Sequence, residues 1–298
     1  MNAGGPILVV LAAGVGHRFG GDKQLAALGP DGEWLVEYAI HDALVAGFAR
    51  IVLVVRAELR EALAHRLAPH VDGRAELVFV EQAVQAVPDG CAAPPGRRKP
   101  LGTGHALWCS RAALDRPFAV VNADDYYGAS AFALLAGHFA RAQGPAMVGY
   151  RLDRTLSAHG GVNRGLCAID GRGHLAGIAE YTDIRDGRDG PTGLDPRRVR
   201  RPLSAAAIVS LNCWGLLPDL LPALEAGLRD FLSGAGAEDE YFLPAAIDRH
   251  LARSGRPLRV LESGDEWLGV THPADVGQVV ACLAALHAGG RYPPRLWT

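Results

Sequence analysis

The chain has 298 residues, 49% hydrophobic and 21% charged, with 30 Lys+Arg against 32 Asp+Glu for a formal net charge of −2. A chain this long can bury about 75% of its unfolded surface, so its core needs no disulfide or metal staple. The near-neutral charge leaves no electrostatic footprint for nucleic acid or an anionic membrane. No stretch reaches the ~18 consecutive apolar residues of a transmembrane helix, and the run Ile7–Ala13 lacks the basic flank of a secretory signal. Cysteines 91, 109, 167, 213 and 282 are scattered and form no C-x-x-C pair. That usage fits a reduced, cytoplasmic protein.

Apolar runs alternate with segments of helical period. Ile7–Leu11 reads as a strand and opens a Gly-rich loop. Trp34–Ala46 is helical, Ile51–Val55 a second buried strand, Glu58–Leu67 helical and Leu77–Val80 a third strand. Thr103–Leu114 is helical, Phe118–Val121 a fourth strand, Ala129–Arg141 a helix and Ala146–Tyr150 a fifth strand. Continuous Val/Ile/Leu strands separated by helices predict a mostly parallel sheet covered on both faces. After Tyr150 the rhythm changes. Leu166–Ile169 and Leu175–Ala179 flank an Asp-Gly-Arg-Gly turn and read as a hairpin. The stretch Asp183–Pro202 reads as a long loop whose Arg197, Arg198, Arg200 and Arg201 form a solvated face. Ala205–Leu211 is a strand, Pro218–Leu232 and Tyr241–Ala252 are helices, and Leu258–Leu261 is a last strand. The closing helix begins at Pro273, a residue suited to the first helical position. No repeat and no linker splits the chain. The expectation is one α/β domain over 1–298 with a nucleotide-type half to about 145, a second half over about 146–275 carrying a small antiparallel elaboration, and a C-terminal helix at about 273–288.

The first strand runs into Leu11-Ala12-Ala13-Gly14-Val15-Gly16-His17-Arg18-Phe19-Gly20-Gly21-Asp22-Lys23. Small residues let consecutive backbone N–H groups approach a phosphate, and Arg18 and Lys23 add charge for its oxygens. Of the 30 basic residues only Lys23 and Lys99 are lysines, so a lysine in this loop is a hint that chemistry requires it. A dinucleotide fingerprint needs G-x-G-x-x-G and an acid at the end of strand two; here the third glycine is displaced and Arg56 ends the strand. A Walker loop needs Gly-Lys-Ser/Thr; here Gly21-Asp22-Lys23-Gln24 stands instead.

The run resembles the opening motif of the nucleotidyltransferases that activate sugar 1-phosphates (the NDP-sugar pyrophosphorylases), near L-A-A-G-x-G-x-R-x-x-x-x-K. The resemblance implies a Rossmann-like, GT-A-like mixed sheet. In it Leu11, Ala12, Ala13, Gly14 and Gly16 wrap a nucleoside triphosphate, while Arg18 and Lys23 stabilise the departing pyrophosphate. Further segments follow in the family's order. Gln82 after strand three, and Gly102 with Thr103 at the next helix start, match the base-reading positions. A plain helix start with Thr103 as cap would look the same. Val120-Val121-Asn122-Ala123-Asp124-Asp125 resembles the G-D-N stretch whose aspartate, here Asp124, holds Mg²⁺ at the ligand-binding end of a parallel strand. Asp125 stands where asparagine is frequent. Gly161, Glu180 and Asn212 match the acceptor-contacting segments; their bland roles are a turn, an exposed acid and a strand-end amide.

Two departures stand out. The second metal aspartate of a W-x-D-x-G-T stretch is replaced by Gly269 in Trp267-Leu268-Gly269-Val270-Thr271, and Asp275, six residues on, is a weaker candidate ligand with a good alternative role at a helix N-terminus. The lysine that often follows the glutamate is also missing, with Tyr181-Thr182 in its place. The reading is a Mg²⁺-dependent enzyme joining a nucleoside triphosphate to a sugar 1-phosphate, with no nucleic-acid or membrane partner; the sequence leaves oligomeric state unread. A non-sugar acceptor, such as phosphocholine, a cyclitol phosphate or a molybdopterin, is the near alternative. An inactive nucleotide-binding regulator of the same fold, or a glycosyltransferase, are the distant ones. The glycosyltransferase would leave the R-x-x-x-x-K loop unexplained, and adjacent Asp124-Asp125 lacks Asp-x-Asp spacing.

Overall fold

The structure, a computed structural model, describes residues 4–14, 25–270 and 272–297. Four parallel strands make the first half of the sheet: β1 (Ile7–Leu11), β2 (Arg50–Val55), β3 (Glu76–Glu81) and β4 (Phe118–Asn122), in spatial order β3-β2-β1-β4. Because successive side chains of a strand point to opposite faces, Leu8 and Val10 feed one core and Ile7, Val9 and Leu11 the other. Helices α1 (Leu35–Val45), α2 (Ala57–Val71) and α4 (Ala129–Ala140) cover the first face through Ile40, Leu63 and Phe132. Helices α3 (Thr103–Cys109), α5 (Leu221–Leu232) and α6 (Leu243–Ser254) cover the second through Leu107, Leu228 and Ile247. Continuous apolar strands thus follow from burial on both faces. Helix α2 runs on through Pro69 because Leu67 and Val71, both fully buried, lock its last turn.

The short pair β5 (Asp125–Tyr126) and β13 (Leu268–Gly269) and the strands β6 (Ala146–Arg151), β7 (Val162–Ile169) and β8 (Leu175–Arg185) build the second half. Arg-rich 183–202, expected to be a loop, also contains β9 (Thr192–Leu194) and β10 (Arg200–Pro202), which extend β8 as a narrow antiparallel flap. Asp183 and Asp195 draw Arg200 and Arg201 into ion pairs, and this pins the flap where composition alone reads as irregular. Strand β11 (Ile208–Leu216) joins the halves. Its last residues pair antiparallel with β4, Val209 and Ser210 pair with β7, and its other edge takes β6, beside which β12 (Arg259–Glu262) runs parallel. The sheet is therefore mixed, with a mostly parallel core. No helix of the described residues is long and apolar enough to cross a membrane.

The last helix, α7 (Val276–Ala288), follows a 3₁₀ turn over Pro273–Asp275 and so starts later than the proline implies. Leu283 and Val279 pack on Leu35, Tyr38 and Tyr126. The chain after α7 carries two donors to buried acids of α1. The Tyr292 hydroxyl donates to Asp42 Oδ2 at 2.7 Å, and Trp297 Nε1 donates to Glu37 Oε1 at 2.8 Å. Burial pushes the Asp42 carboxyl above its usual range, with His41 and Tyr292 opposing. A buried acceptor that loses its donor costs ~1–3 kcal/mol. Ending the chain after Gly290 is therefore expected to lower unfolding free energy by about 3–6 kcal/mol once lost apolar burial is included. Urea denaturation reads this directly; an unchanged midpoint would show that the tail is passive.

Candidate active site

The described start of the Gly-rich loop lies between the ends of β2 and β4. Ala12 N–H donates to the Val54 carbonyl at 2.8 Å, and Ala123 N–H donates to the Leu11 carbonyl at 3.1 Å. Ala12 and Ala13 are buried and Gly14 is exposed, so the loop leaves the sheet at Gly14. Gly16, Arg18 and Lys23 lie outside the described residues. Asp124 is half-buried in the turn between β4 and β5, one residue past Ala123 and beside that loop start.

From this turn an amide relay crosses to the second half. Trp214 Nε1 donates to Asn212 Oδ1 at 2.8 Å, Asn212 Nδ2 to Asn122 Oδ1 at 2.7 Å, and Asn122 Nδ2 to Asp125 Oδ2 at 2.8 Å. An indole N–H can only donate, so it orients both amides and leaves Asp125 as the acceptor at the far end. The Tyr127 hydroxyl accepts from the Asn122 N–H at 3.0 Å and lies 3.2 Å from the same Asp125 oxygen. Burial, with Asp125 beside it, holds Tyr127 protonated far above its usual range. Asn212 itself sits at φ +60°, inside the register break of β11. Among non-glycine residues asparagine tolerates that conformation best.

Asp125 also accounts for the missing aspartate at 269. Gly269 lies opposite Asp125 in the β5–β13 pair. A Cβ on Gly269 would meet the Trp267 ring and stand 2.9 Å from Asp125 Oδ1. The Asp125 carboxylate and the Trp267 indole occupy the room a side chain there would need. Asp275 lies elsewhere in this arrangement, buried at the head of α7. Its Oδ1 accepts from the Ser157 hydroxyl at 2.6 Å and its Oδ2 from the His272 N–H at 2.7 Å.

An open cavity of about 430 Å³ lies beyond the relay. Its wall brings together three residues singled out in the sequence, Thr103, Glu180 and Asn212, and adds Asn122, Asp125 and Arg164. Glu180 is exposed on β8, and partial desolvation raises its carboxyl while Arg164 pulls the other way. Tyr181, in place of the expected lysine, lies opposite Arg164 in the β7–β8 ladder. Gly161 is set back from this wall. A Cβ there would collide with the Asp183 carboxylate, so the glycine serves close packing of β7 on β8.

Gln82 is buried between β3 and α3. Its Nε2 donates to the Gly102 carbonyl at 2.9 Å and lies 3.1 Å from His105 Nδ1, while His105 Nε2 lies 2.6 Å from the Ala86 carbonyl. Two backbone carbonyls, which only accept, fix the amide orientation and the His105 tautomer. Burial lowers the His105 pKa and keeps the ring neutral. Gln82 Oε1 takes no part in these bonds. Gly102, not Thr103, caps α3; it has φ +98°, and a Cβ on it would stand 2.8 Å from the Tyr241 carbonyl. The Thr103 hydroxyl instead accepts from the Leu243 N–H at 3.0 Å and ties α3 to α6. Lys99, the second rare lysine, forms an exposed pair with Glu238 at 3.2 Å and is no part of the site.

Sequence reasoning missed Asn122, Arg164 and Trp267. They lie on β4, on β7 and just before β13, far apart in the chain, and meet at the wall of one cavity.

Three solved structures are similar over nearly their whole length. The inositol-1-phosphate CTP transferase from T. maritima is 16% identical with a TM-score of 0.63, covering 95% of this chain and 96% of that one. A putative glucose-1-phosphate thymidylyltransferase from Bacillus anthracis is 12% identical with a TM-score of 0.65, covering 94% and 95%. UDP-glucose pyrophosphorylase from Acinetobacter baumanii is 16% identical with a TM-score of 0.58, covering 97% and 94%. At these identities the likeness is one of fold. No curated protein sequence matches the chain at a significant level. Residues 8–239, by contrast, match the model of the MobA-like NTP transferase domain, a span that holds the loop, the Asp124 turn and most of the cavity wall. On that match the chain belongs to the MobA-like NTP transferase domain family and is a nucleotidyltransferase.

Proposed function

We propose that the chain transfers a nucleotidyl group from a nucleoside triphosphate to a phosphorylated small-molecule acceptor, a sugar 1-phosphate or a cyclitol phosphate, and releases pyrophosphate. The observation that carries this reading is the cavity in which Glu180, Asn212 and Asp125 converge one turn away from Asp124 and the start of the Gly-rich loop. The three solved neighbours bear names that refer to inositol 1-phosphate, glucose 1-phosphate and UDP-glucose, and a cavity of this size suits acceptors of that class.

An acceptor phosphate oxygen attacks the α-phosphorus in line. The new P–O bond forms as the bond to the β-phosphate oxygen breaks, and the electron pair leaves with pyrophosphate. The chain contributes position and charge rather than a covalent intermediate. Arg18 and Lys23 meet the leaving pyrophosphate. Gln82 Oε1 accepts from an N–H on the base. Glu180 accepts from acceptor hydroxyls, and Asn212, held in the relay, offers an amide edge beside it. The donor set at the Asp124–Asp125 turn is carboxylate and amide oxygen, which suits a hard cation such as Mg²⁺; among the described residues no group of three or more His, Cys, Asp or Glu forms a cage for a softer one. Asp124 would hold that Mg²⁺, which when bound supplies neutralising charge for the phosphates.

A matrix of nucleoside triphosphates against sugar 1-phosphates and cyclitol phosphates, read as pyrophosphate release, tests the reading; silence across the whole matrix would sink it. With an active pair in hand, Lys23→Ala is expected to lower turnover about 10²–10³-fold. Asp124→Ala should abolish Mg²⁺-dependent turnover with an unchanged melt. Asp275→Ala should cost about 1–3 kcal/mol of stability and keep the metal dependence, because its oxygens are spent on Ser157 and His272; an inactive but stable Asp275→Ala enzyme would make it a metal ligand instead. Glu180→Gln should raise the acceptor KM about tenfold and leave the KM for the triphosphate alone. Equal effects on both substrates would remove Glu180 from the acceptor side.

A further inference from the structure

Arg164 is 7% exposed, and among the described residues no carboxylate stands within ion-pair distance of it. Its hydrogen bonds go to neutral groups: Nε to Thr155 Oγ1 at 3.3 Å, Nη1 to the Asn163 carbonyl at 2.9 Å and Nη2 to the Thr155 carbonyl at 2.5 Å. A guanidinium has five N–H donors. These bonds use three of them and leave one on each terminal nitrogen. The face of the group lies over the Trp267 ring, 4.7 Å from its centroid. Trp267 is 8% exposed, and its Nε1 is itself a buried donor with no partner among the described residues. Burial drags the Arg164 pKa down to about 10, against the pull of Asp125, Glu180 and Asp275.

Leaving a buried charge unpaired is expensive, and the cost is removed by an acceptor that brings negative charge. Two stacked side chains therefore present spare buried donors at one place. That place is a wall: Arg164 and Trp267 both border the acceptor cavity, and both border a smaller pocket behind it with Thr155, Ser157 and Asp275. Nothing in the relay uses them. Resting on the nucleotidyltransferase reading above, we infer that Arg164, seated on Trp267, is the group that grips the phosphate of the acceptor, its two spare N–H donors taking phosphate oxygens while Glu180 takes the hydroxyls. The chain thus recognises a polyhydroxylated phosphate monoester by two side chains on adjacent strands of the antiparallel half. The acids around Arg164 keep it charged and repel a bare anion, so inorganic phosphate binds weakly and esters bearing hydroxyls bind better.

The test is titration of the full-length protein with glucose 1-phosphate, myo-inositol 1-phosphate and inorganic phosphate, with glucose and myo-inositol as uncharged controls. Heat and the tryptophan emission that disappears in Trp267→Phe are the readouts. Wild-type protein is expected to bind at least one of the two esters, to bind inorganic phosphate less tightly, and to ignore the uncharged compounds. Arg164→Met removes the charge but keeps length and apolar bulk. It should weaken ester binding at least tenfold, raise the acceptor KM by a similar factor, leave the KM for the triphosphate unchanged and leave Tm unchanged or higher. Arg164→Lys should recover part of the ester affinity. Ester binding by Arg164→Met at wild-type strength would overturn the assignment. So would a failure of wild-type protein to bind any of the phosphates while turnover persists, or a fall in Tm with equal change in both KM values, the signature of a strut. Ester binding that depends on Arg164 in a protein that releases no pyrophosphate with any triphosphate would defeat the proposed reaction and leave this site standing.

Discussion

The break in β11 at Asn212 is the constraint on which the rest of the site depends. On one side of it Trp214, Gly215 and Leu216 pair with β4; on the other, Val209 and Ser210 pair with β7. The two partners take successive stretches of one edge, and the left-handed backbone at Asn212 falls between them and turns the side chain toward β4. That conformation carries a local penalty for any L-residue, offset here by a chain of directed hydrogen bonds from Trp214 through Asn212 and Asn122 to Asp125. The relay fixes the distance between the nucleotide-type half and the antiparallel half. It places the Asp124–Asp125 turn against one side of the gap and Glu180 against the other.

The exchange between positions 125 and 269 follows from that fixed geometry. Strands β5 and β13 are too short to hold themselves, and they are joined by a single antiparallel step. The relay holds one Asp125 oxygen and leaves the other facing Gly269. A second acid at 269 would then put two carboxylates in contact, and like charges so close cannot both stay ionised. With Asp at 125, glycine at 269 is the compatible partner.

The fold was largely legible because its strongest signal is physical redundancy. Every apolar residue of β1 is buried on one face or the other, so Ile7–Leu11 could be read from the run itself. The same holds for β2, β4 and the helices that cover them. What could not be read depended on partners far away in sequence. The flap β9–β10 is polar along its length and exists by virtue of Asp183 and Asp195. The strand β11 looked shorter because Asn212-Cys213 interrupts its apolar rhythm. The tail after α7 has no periodicity, and its tyrosine and tryptophan have meaning only beside Asp42 and Glu37. In the site, Glu180, Asn212 and Thr103 were legible through motif resemblance. Gly102 and Gly161 were singled out too, but each has a steric reason that needs no ligand, in Tyr241 and Asp183 respectively. A glycine records that something approaches; the sequence does not say whether that thing is a ligand or the protein's own chain.

One pattern unites three residues of the cavity wall. Asn212 holds a strained backbone and, among the described residues, Trp267 buries an N–H without a partner and Arg164 a charge without a counter-charge. Each departs from an ordinary rule of packing or backbone geometry, and all three border the same cavity. Apolar replacements of similar volume would often relieve such a burden. Where these three meet, at one wall, a ligand can repay the cost. The arginine and the tryptophan carry donors, and the asparagine is held in the relay that ends at Asp125. On the proposed function, this wall is a surplus of donors beside acids, complementary to a molecule that carries a phosphate at one end and hydroxyls along its length.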